Sequence, residues 1–295
     1  MDHIRQLEIF KATVELGSIA AAGRALGLSP AMAGKYLATL ESTLGTQLIQ
    51  RTTRSLSLTV SGEKYLSASI RIIDAMADAD AEARGARNQL AGPIRIGVPR
   101  AFGQLRLVAI LTVFGNMHPA ITLEVHSDDR YADLIDDRLD VALRIGQLPD
   151  STLRARRIGH VAMGIFCSPT MLPSHERDDL TKIRSLPRLV FTAPRSPGDW
   201  VVTGHEGSTH VVDGRAVMRS DDMLLLIRAA VHGLGILYAP AFAAEELLRQ
   251  GQLVRLLDKY RTTELDMQLV YVDGRYQPAR VRALIDYLVN EIALQ

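Results

Sequence analysis

Two short stretches of this sequence hold groups that could bind phosphate or another anion. "RTTR", Arg51 to Arg54, sets two guanidinium groups around the hydroxyls of Thr52 and Thr53, and "SPAMAGKYLATLE", Ser29 to Glu41, carries Lys35 among small residues. Cations and hydroxyls on a projecting turn suit phosphate oxygens or a narrow minor groove. In "VPRAFGQ", the amides of Ala101, Phe102 and Gly103 and the guanidinium of Arg100 could converge on an anion at a helix N-terminus. Other polar groups fall at predicted strand ends or helix starts: Ser127 and Asp128, Arg144 to Gly146, Thr192 to Pro194, and Ser220 to Asp222. For each of these, helix capping or an ordinary solvated surface is the competing assignment.

Catalytic constellations do not emerge from the same reading. There is no G-x-S-x-G elbow, no Gly-rich loop ending in Lys-Ser/Thr and no His-Glu-x-x-His. His205 and His210, with Glu206 beside the first, have a spacing that puts them on neither one helix turn nor one strand face, so a surface loop is expected rather than a metal site. Cys167 follows the apolar "MGIF" with no basic neighbour in sequence, which favours a buried thiol over a redox sensor. Trp200 and Met223 are expected in a core, with the cleft as the alternative for Trp200. The expectation is a non-enzyme with no metal and no cofactor.

The elements that must position these groups follow from composition and pattern. The chain has 295 residues, is 47% hydrophobic and carries a net charge of +1, so a nucleic-acid surface would have to be local. One cysteine excludes an internal disulfide, and "MDHIRQLEIFKATVELG" is charged every few residues without an apolar signal core. No apolar run approaches a membrane span, so a cytoplasmic protein without a membrane partner is expected.

Up to about residue 90 the pattern is helical and Ala-rich; at "LAGPIRIGVPR" it changes to short apolar strands alternating with helices, which reads as α/β. "HIRQLEIFKATVEL" predicts a first helix and "SIAAAGRALGL" a second, capped by Ser18 and stopped at Gly27. A third begins at Ser29 and Pro30. In it Met32, Ala33, Tyr36, Leu37, Leu40 and Leu44 gather on one side, while Ala31, Gly34, Lys35, Ala38 and Ser42 form a nearly bare other side. "QLIQRTTRSLSLTVSG" then reads as two short strands around a turn, which makes a winged helix-turn-helix. A bare helix face lets the backbone approach base edges in a groove about 12 Å wide; close helix–helix packing is the competing use of small residues. "GEKYLSASIRIIDAMADADAEARGARNQL" is a long helix in which Leu66, Ser69 or Ile70, Ile73, Met76, Asp80 and Ala83 recur at three and four, a spacing open to either a coiled coil or a solvated helix. From Ile94 onward, two sets of strands and helices predict two lobes connected twice, with a cleft between the carboxyl ends of their strands.

The first part resembles the N-terminal domain of LysR-type transcriptional regulators, in Phe10, Gly17, Ser18, Ala22, Leu26, Leu28, Ser29, Leu40, Glu41, Leu44, Gly45, Leu48, Arg51, Arg54, Leu58, Thr59 and Gly62. "LDVALRIGQLPDSTLRARRIG" and "AAVHGLGILYAPAF" are similar to steps of the effector-binding domain of the same regulators, itself like periplasmic solute-binding proteins, so the resemblance covers nearly the whole chain. It implies an N-terminal α winged helix-turn-helix plus an α/β two-lobed effector domain. The implied division is 1–61 for DNA binding, 62–90 for a dimerising linker helix and 91–295 for the effector domain, with lobe I at 91–163 and 267–295 and lobe II at 164–266. It implies promoter DNA, a small-molecule effector, and a homodimer or homotetramer; the positions around Arg100 add the expectation of a small carboxylate or related anionic metabolite. Pro30, Ala31, Gly34 and Lys35 would read the major groove and Arg54 the minor groove, with Ser29, Arg51 and Thr53 beside them. Gly34 stands where the family usually has Ser, which removes a hydroxyl from the reading face. A solute-binding module, or an enzyme carrying a DNA-binding head, are the alternatives; the first needs an export signal and the second a catalytic constellation.

Overall fold

The computed structural model describes residues 2–51, 56–83, 90–129, 134, 139–148, 153–193, 199–271 and 277–293. The chain forms two compact units, one built on Met1–Leu90 and the other on most of the remainder.

The first unit contains α1 (His3–Leu16), α2 (Ile19–Ala25), α3 (Pro30–Leu44), β1 (Ile49–Arg51), β2 (Leu56–Leu58) and α4 (Val60–Ala83), with β1 and β2 antiparallel. Ser18 and Ser29 cap α2 and α3 by accepting from the amides of Ala21 and Met32, and Pro30 stands at the first helical position. Leu7, Phe10, Leu37, Leu40, Leu48, Ile49, Leu66 and Ile70 form the core. Glu41 ties α3 to the wing, its Oε1 accepting from the amides of Leu48 at 2.9 Å and Ile49 at 3.1 Å. Thr59 Oγ1 donates to the Gln47 carbonyl at 2.8 Å and accepts from the Gly62 amide at 2.9 Å. A Cβ on Gly62 would stand 2.0 Å from the Leu48 carbonyl oxygen, so α4 can approach the wing only where a side chain is missing. Much of the N-terminal sequence pattern is thus scaffold.

Two expectations need correction here. Met32 and Leu44, placed on the packing side of α3, are exposed, because the core takes only Ala33, Leu37 and Leu40 from that helix. Of the linker seam, Leu66, Ile70 and Ile73 pack on the core of the first unit, and Ser69 is buried with its hydroxyl donating to the Tyr65 carbonyl. Farther along the seam Met76 is exposed, and among the described residues of α4 the other exposed large hydrophobics are Val60 and Ile72, which lie off it.

The second unit opens with β3 (Gly92–Val98), α5 (Arg100–Phe102), a π-helical turn (Gly103–Leu107), α6 (Val108–Met117), β4 (Ile121–Ser127), β5 (Val141–Ile145) and β6 (Arg154–Cys167). It continues with α7 (Leu180–Arg184), β7 (Arg188–Phe191), β8 (Val201–Thr203), β9 (Thr209–Val211), β10 (Ala216–Ser220), α8 (Met223–Val231), β11 (Ile236–Pro240) and α9 (Ala241–Arg249). β12 (Val254–Leu256), β13 (Arg261–Thr262), β14 (Glu264–Tyr271) and α10 (Ala279–Ala293) complete it. One sheet runs β10-β7-β11-β6-β14-β5-β3-β4, β12 pairs with β6, and β13-β8-β9 form a separate small sheet.

β3 lies parallel to β4 and β5 in one lobe, and β7 lies parallel to β10 and β11 in the other. β6 pairs antiparallel with β14 as far as Ala162 and with β11 from Met163, so this strand carries the chain across and β14 carries it back. The stretch "STHVVDGRAVMRS" is divided between β9 and β10 in different sheets. Of the stretch "YADLIDDRL" between β4 and β5, only Leu134 and Leu139 are among the described residues. The parallel strands end at Val98, Ser127 and Ile145 in the first lobe and at Phe191, Ser220 and Pro240 in the second. Carboxyl ends of parallel strands are where open α/β sheets hold ligands.

Candidate nucleic-acid interface and effector cleft

α3 shows two uses of small residues. Ala33 is buried, and a Cβ added to Gly23 of α2 would come within 3.2 Å of the Ala33 Cβ and of the Leu28 carbonyl, so here small residues serve close packing. Ala31, Lys35 and Ala38 are exposed, and a Cβ added to Gly34 would meet nothing within 4 Å. The outer face is therefore open, with Lys35 its one cation. Ser29 and Pro30 are exposed at its N-terminal end; the Ser29 Oγ accepts from the Met32 amide at 3.2 Å, which leaves its own O–H to donate. Thr39 and Thr43 turn their hydroxyls back onto the Lys35 and Thr39 carbonyls, both at 2.8 Å. Arg51 ends β1, with its side chain outside the described residues, and Thr53 and Arg54 lie outside them altogether. Met32, exposed on the same helix, and Arg24 in the last turn of α2 were not singled out by their sequence; an exposed Met inside an apolar stripe carries no signal of its own.

Of the groups expected at the cleft, Arg100 has its contacts fixed most fully, and the anions beside it are the protein's own, Asp222 and Asp129. Arg100 Nη1 lies 3.2 Å from Asp222 Oδ2, and the Arg100 amide donates to Asp129 Oδ1 at 3.0 Å. Asp222 caps α8, its Oδ1 accepting from the Leu224 and Leu225 amides at 2.9 and 3.2 Å. Of the three amides expected to converge on an anion, that of Gly103 is taken inside the turn, donating to the Pro99 carbonyl at 2.8 Å. Ala101 joins the core of the second lobe, and Phe102 meets Phe242 edge to face with centroids 5.4 Å apart, so both are buried in the seam between lobes. Farther along it, Arg106 pairs with Glu245. Asp129, Phe242 and Glu245 had no motif to mark them.

Ser127 is exposed at the end of β4, and Asp128 is half-buried with its amide donating to the Val98 carbonyl at 3.1 Å. Arg144 is 6% exposed at the end of β5, an unusual depth for a guanidinium. In the second lobe Thr192 is exposed with its amide on the Ser220 carbonyl, Ser220 Oγ accepts from the Asp222 amide at 3.0 Å, and Asp221 is exposed. Pro194 lies outside the described residues. Burial pushes the Asp129 carboxyl up, opposed by the Arg100 amide and charge and reinforced by Asp222 and Asp128; its Oδ2 is buried with no hydrogen-bond partner among the described residues.

The remaining candidates are structural. Cys167 is fully buried, and desolvation pushes its thiol up to about 11, with Arg177 pulling the other way. Trp200 is buried, stacked on Tyr238 at 5.8 Å with the Arg188 guanidinium 5.2 Å from its ring centroid, and Met223 belongs to the second-lobe core. His210 hydrogen-bonds Ser208 at 3.1 Å and meets Tyr260 edge on.

A winged helix-turn-helix followed by a two-lobed α/β unit defines a class of ligand-responsive DNA-binding proteins. Residues 4–63 match the model of the bacterial regulatory helix-turn-helix protein, lysR family, and residues 87–293 match the LysR substrate binding domain. The chain belongs to the LysR family of transcriptional regulators. It is 31% identical to the HTH-type transcriptional regulator YhjC of Escherichia coli K12, with 98% of each chain covered. It is 29% identical to PtxR of Pseudomonas aeruginosa, covering 97% of this chain and 92% of that one. Among solved structures it is similar to full-length CrgA from Neisseria meningitidis, at 28% identity, 98% of each chain and a TM-score of 0.61. Full-length AphB, the virulence activator of Vibrio cholerae, is 26% identical over 98% of this chain and 99% of that one, with a TM-score of 0.61.

Proposed function

We propose that this chain binds double-stranded promoter DNA as a homodimer or homotetramer and responds to a small, anionic metabolite held between the lobes of its second unit. The observation that carries the DNA reading is the open face of α3, where Gly34 has free space above it and Lys35 is exposed. The face would enter the major groove with Ser29, Pro30 and Ala31, while Arg51, Thr53 and Arg54 of the wing contact phosphates and the minor groove. Residues 1–61 are assigned to DNA binding, 62–90 to the dimerising linker and 91–295 to effector binding, the lobes dividing at 163/164 and 266/267. Self-association is supported by Ile72 and Met76 on α4, 45% and 47% exposed, and by the apolar stripe Leu105, Val108, Val113 and Met117 along the π turn and α6.

Effector binding would favour one arrangement of the subunits, and the linker helices would pass that preference to the spacing of the heads, provided that the effector's affinity differs between arrangements. The effector contacts are assigned to Arg100, Ser127, Asp128, Arg144, Thr192, Ser220 and Asp221. No catalysis and no cofactor are assigned, and the site of action is the cytoplasm; among the described residues no helix is long and apolar enough to cross a membrane. Gel-shift titration on the DNA upstream of its own gene is the test, with log affinity falling linearly in log salt. A well-folded protein that shifts no promoter fragment at low salt would end this reading.

A further inference from the structure

Arg100 stands on the first lobe and Asp222 on the second, so their ion pair joins the two across the seam that Phe102–Phe242 and Arg106–Glu245 also span. The pair is solvent-reachable, with side chains 30% and 35% exposed. Asp222 divides its carboxylate: Oδ1 is committed to the α8 amides and Oδ2 faces Arg100. A guanidinium offers a fork of donors that fits both oxygens of one carboxylate, so a partner with one oxygen already engaged is a replaceable one. Once displaced, Asp222 would still cap α8, which keeps the second lobe intact.

We propose that Asp222 is an internal competitor for Arg100, and that a small carboxylate effector acts by taking its place and so removing one of the contacts that tie the first lobe to the second. The inference rests on the reading of this cleft as the effector site and adds to it a gate and a chemical class: a ligand must present a free carboxylate able to engage Arg100 with both oxygens. Asp129 fixes the backbone from which the Arg100 side chain springs, since its Oδ1 accepts from the Arg100 amide at 3.0 Å.

The test uses full-length protein and three named probes, acetate, succinate and benzoate, titrated by calorimetry into the parent, Asp222→Asn and Arg100→Ala. Asn retains the capping oxygen for Leu224 and Leu225 but not the charge, so the variant should fold. With the competitor weakened, at least one probe should bind Asp222→Asn about two- to fivefold more tightly than the parent, the range set by a partly exposed ion pair, and Arg100→Ala should bind none. Equal or weaker binding by Asp222→Asn, or no binding of any probe by it, overturns the gate. Parental affinity in Arg100→Ala removes Arg100 from the cleft and overturns the gate with it. A gel shift of all three proteins on upstream DNA separates these failures from failure of the regulator reading, which alone predicts that every variant still binds DNA.

Discussion

Substituting Gly34 with Ser separates DNA contact from helix packing on α3. The added Cβ meets no atom within 4 Å, so no clash offsets the change in helix propensity. Replacing an interior Gly by Ser should stabilise the helix by about 0.5 kcal/mol, and by Ala about 1 kcal/mol. Gly23→Ser on the neighbouring helix is the contrasting control, because its Cβ would press on Ala33 and on the Leu28 and Ser29 carbonyls at 3.2–3.3 Å and should cost roughly 1–3 kcal/mol. Chemical denaturation of full-length protein reads the stability, and gel shift on upstream DNA reads the function. Gly34→Ser should raise the denaturation midpoint and also shift operator affinity or sequence preference, by about 1–3 kcal/mol where the hydroxyl gains or blocks a base contact. A raised midpoint with binding unchanged for both Ser and Ala would refute the assignment of this face to the groove.

Further outcomes follow from contacts elsewhere. Glu41→Ala removes the acceptor of the Leu48 and Ile49 amides and should destabilise the first unit by about 2–4 kcal/mol, read as an earlier urea transition. Gly62→Ala should prevent α4 from docking beside Leu48 and abolish DNA binding, which gel shift and circular dichroism would detect together. The raised Cys167 thiol gives a defined pH dependence: its contribution is fully present below the ordinary thiol value of 9.0 and is lost as pH rises toward about 11, at about 1.4 kcal/mol per pH unit. Cys167→Ala should therefore show a shallower alkaline loss of stability than the parent; parallel alkaline limbs would rule out this role. Met76→Glu together with Ile72→Glu on α4 should shift the protein toward monomer in sedimentation velocity and weaken operator binding.

How much of this the sequence disclosed depends on the range of the interaction. Ser18, Ser29 and Pro30 act within one turn of their own helices, so their capping was legible, as were the open side at Ala31, Gly34 and Ala38 and the two α/β lobes. Periodicity could not decide between neighbours: Met32 and Leu44 share the apolar angle of Leu37 but project past the core, and Leu66 and Ile70 look like a partner-facing seam while they fill the head's own core. The pairing of Arg100 with Asp222 is also invisible in sequence, because helix starts can be recognised but the distance between two of them cannot. The π turn at Gly103–Leu107, which lies between the buried Phe102 and α6, follows from no residue pattern.

Hydroxyl-radical footprinting of the full-length protein on its own upstream DNA tests the central claim most directly. The account predicts two protected half-sites spaced by a whole number of helical turns, with protection at each lost in Lys35→Ala and reshaped in Gly34→Ser. A folded protein that leaves the DNA uniformly cleaved, or whose protection is indifferent to both substitutions, would contradict it.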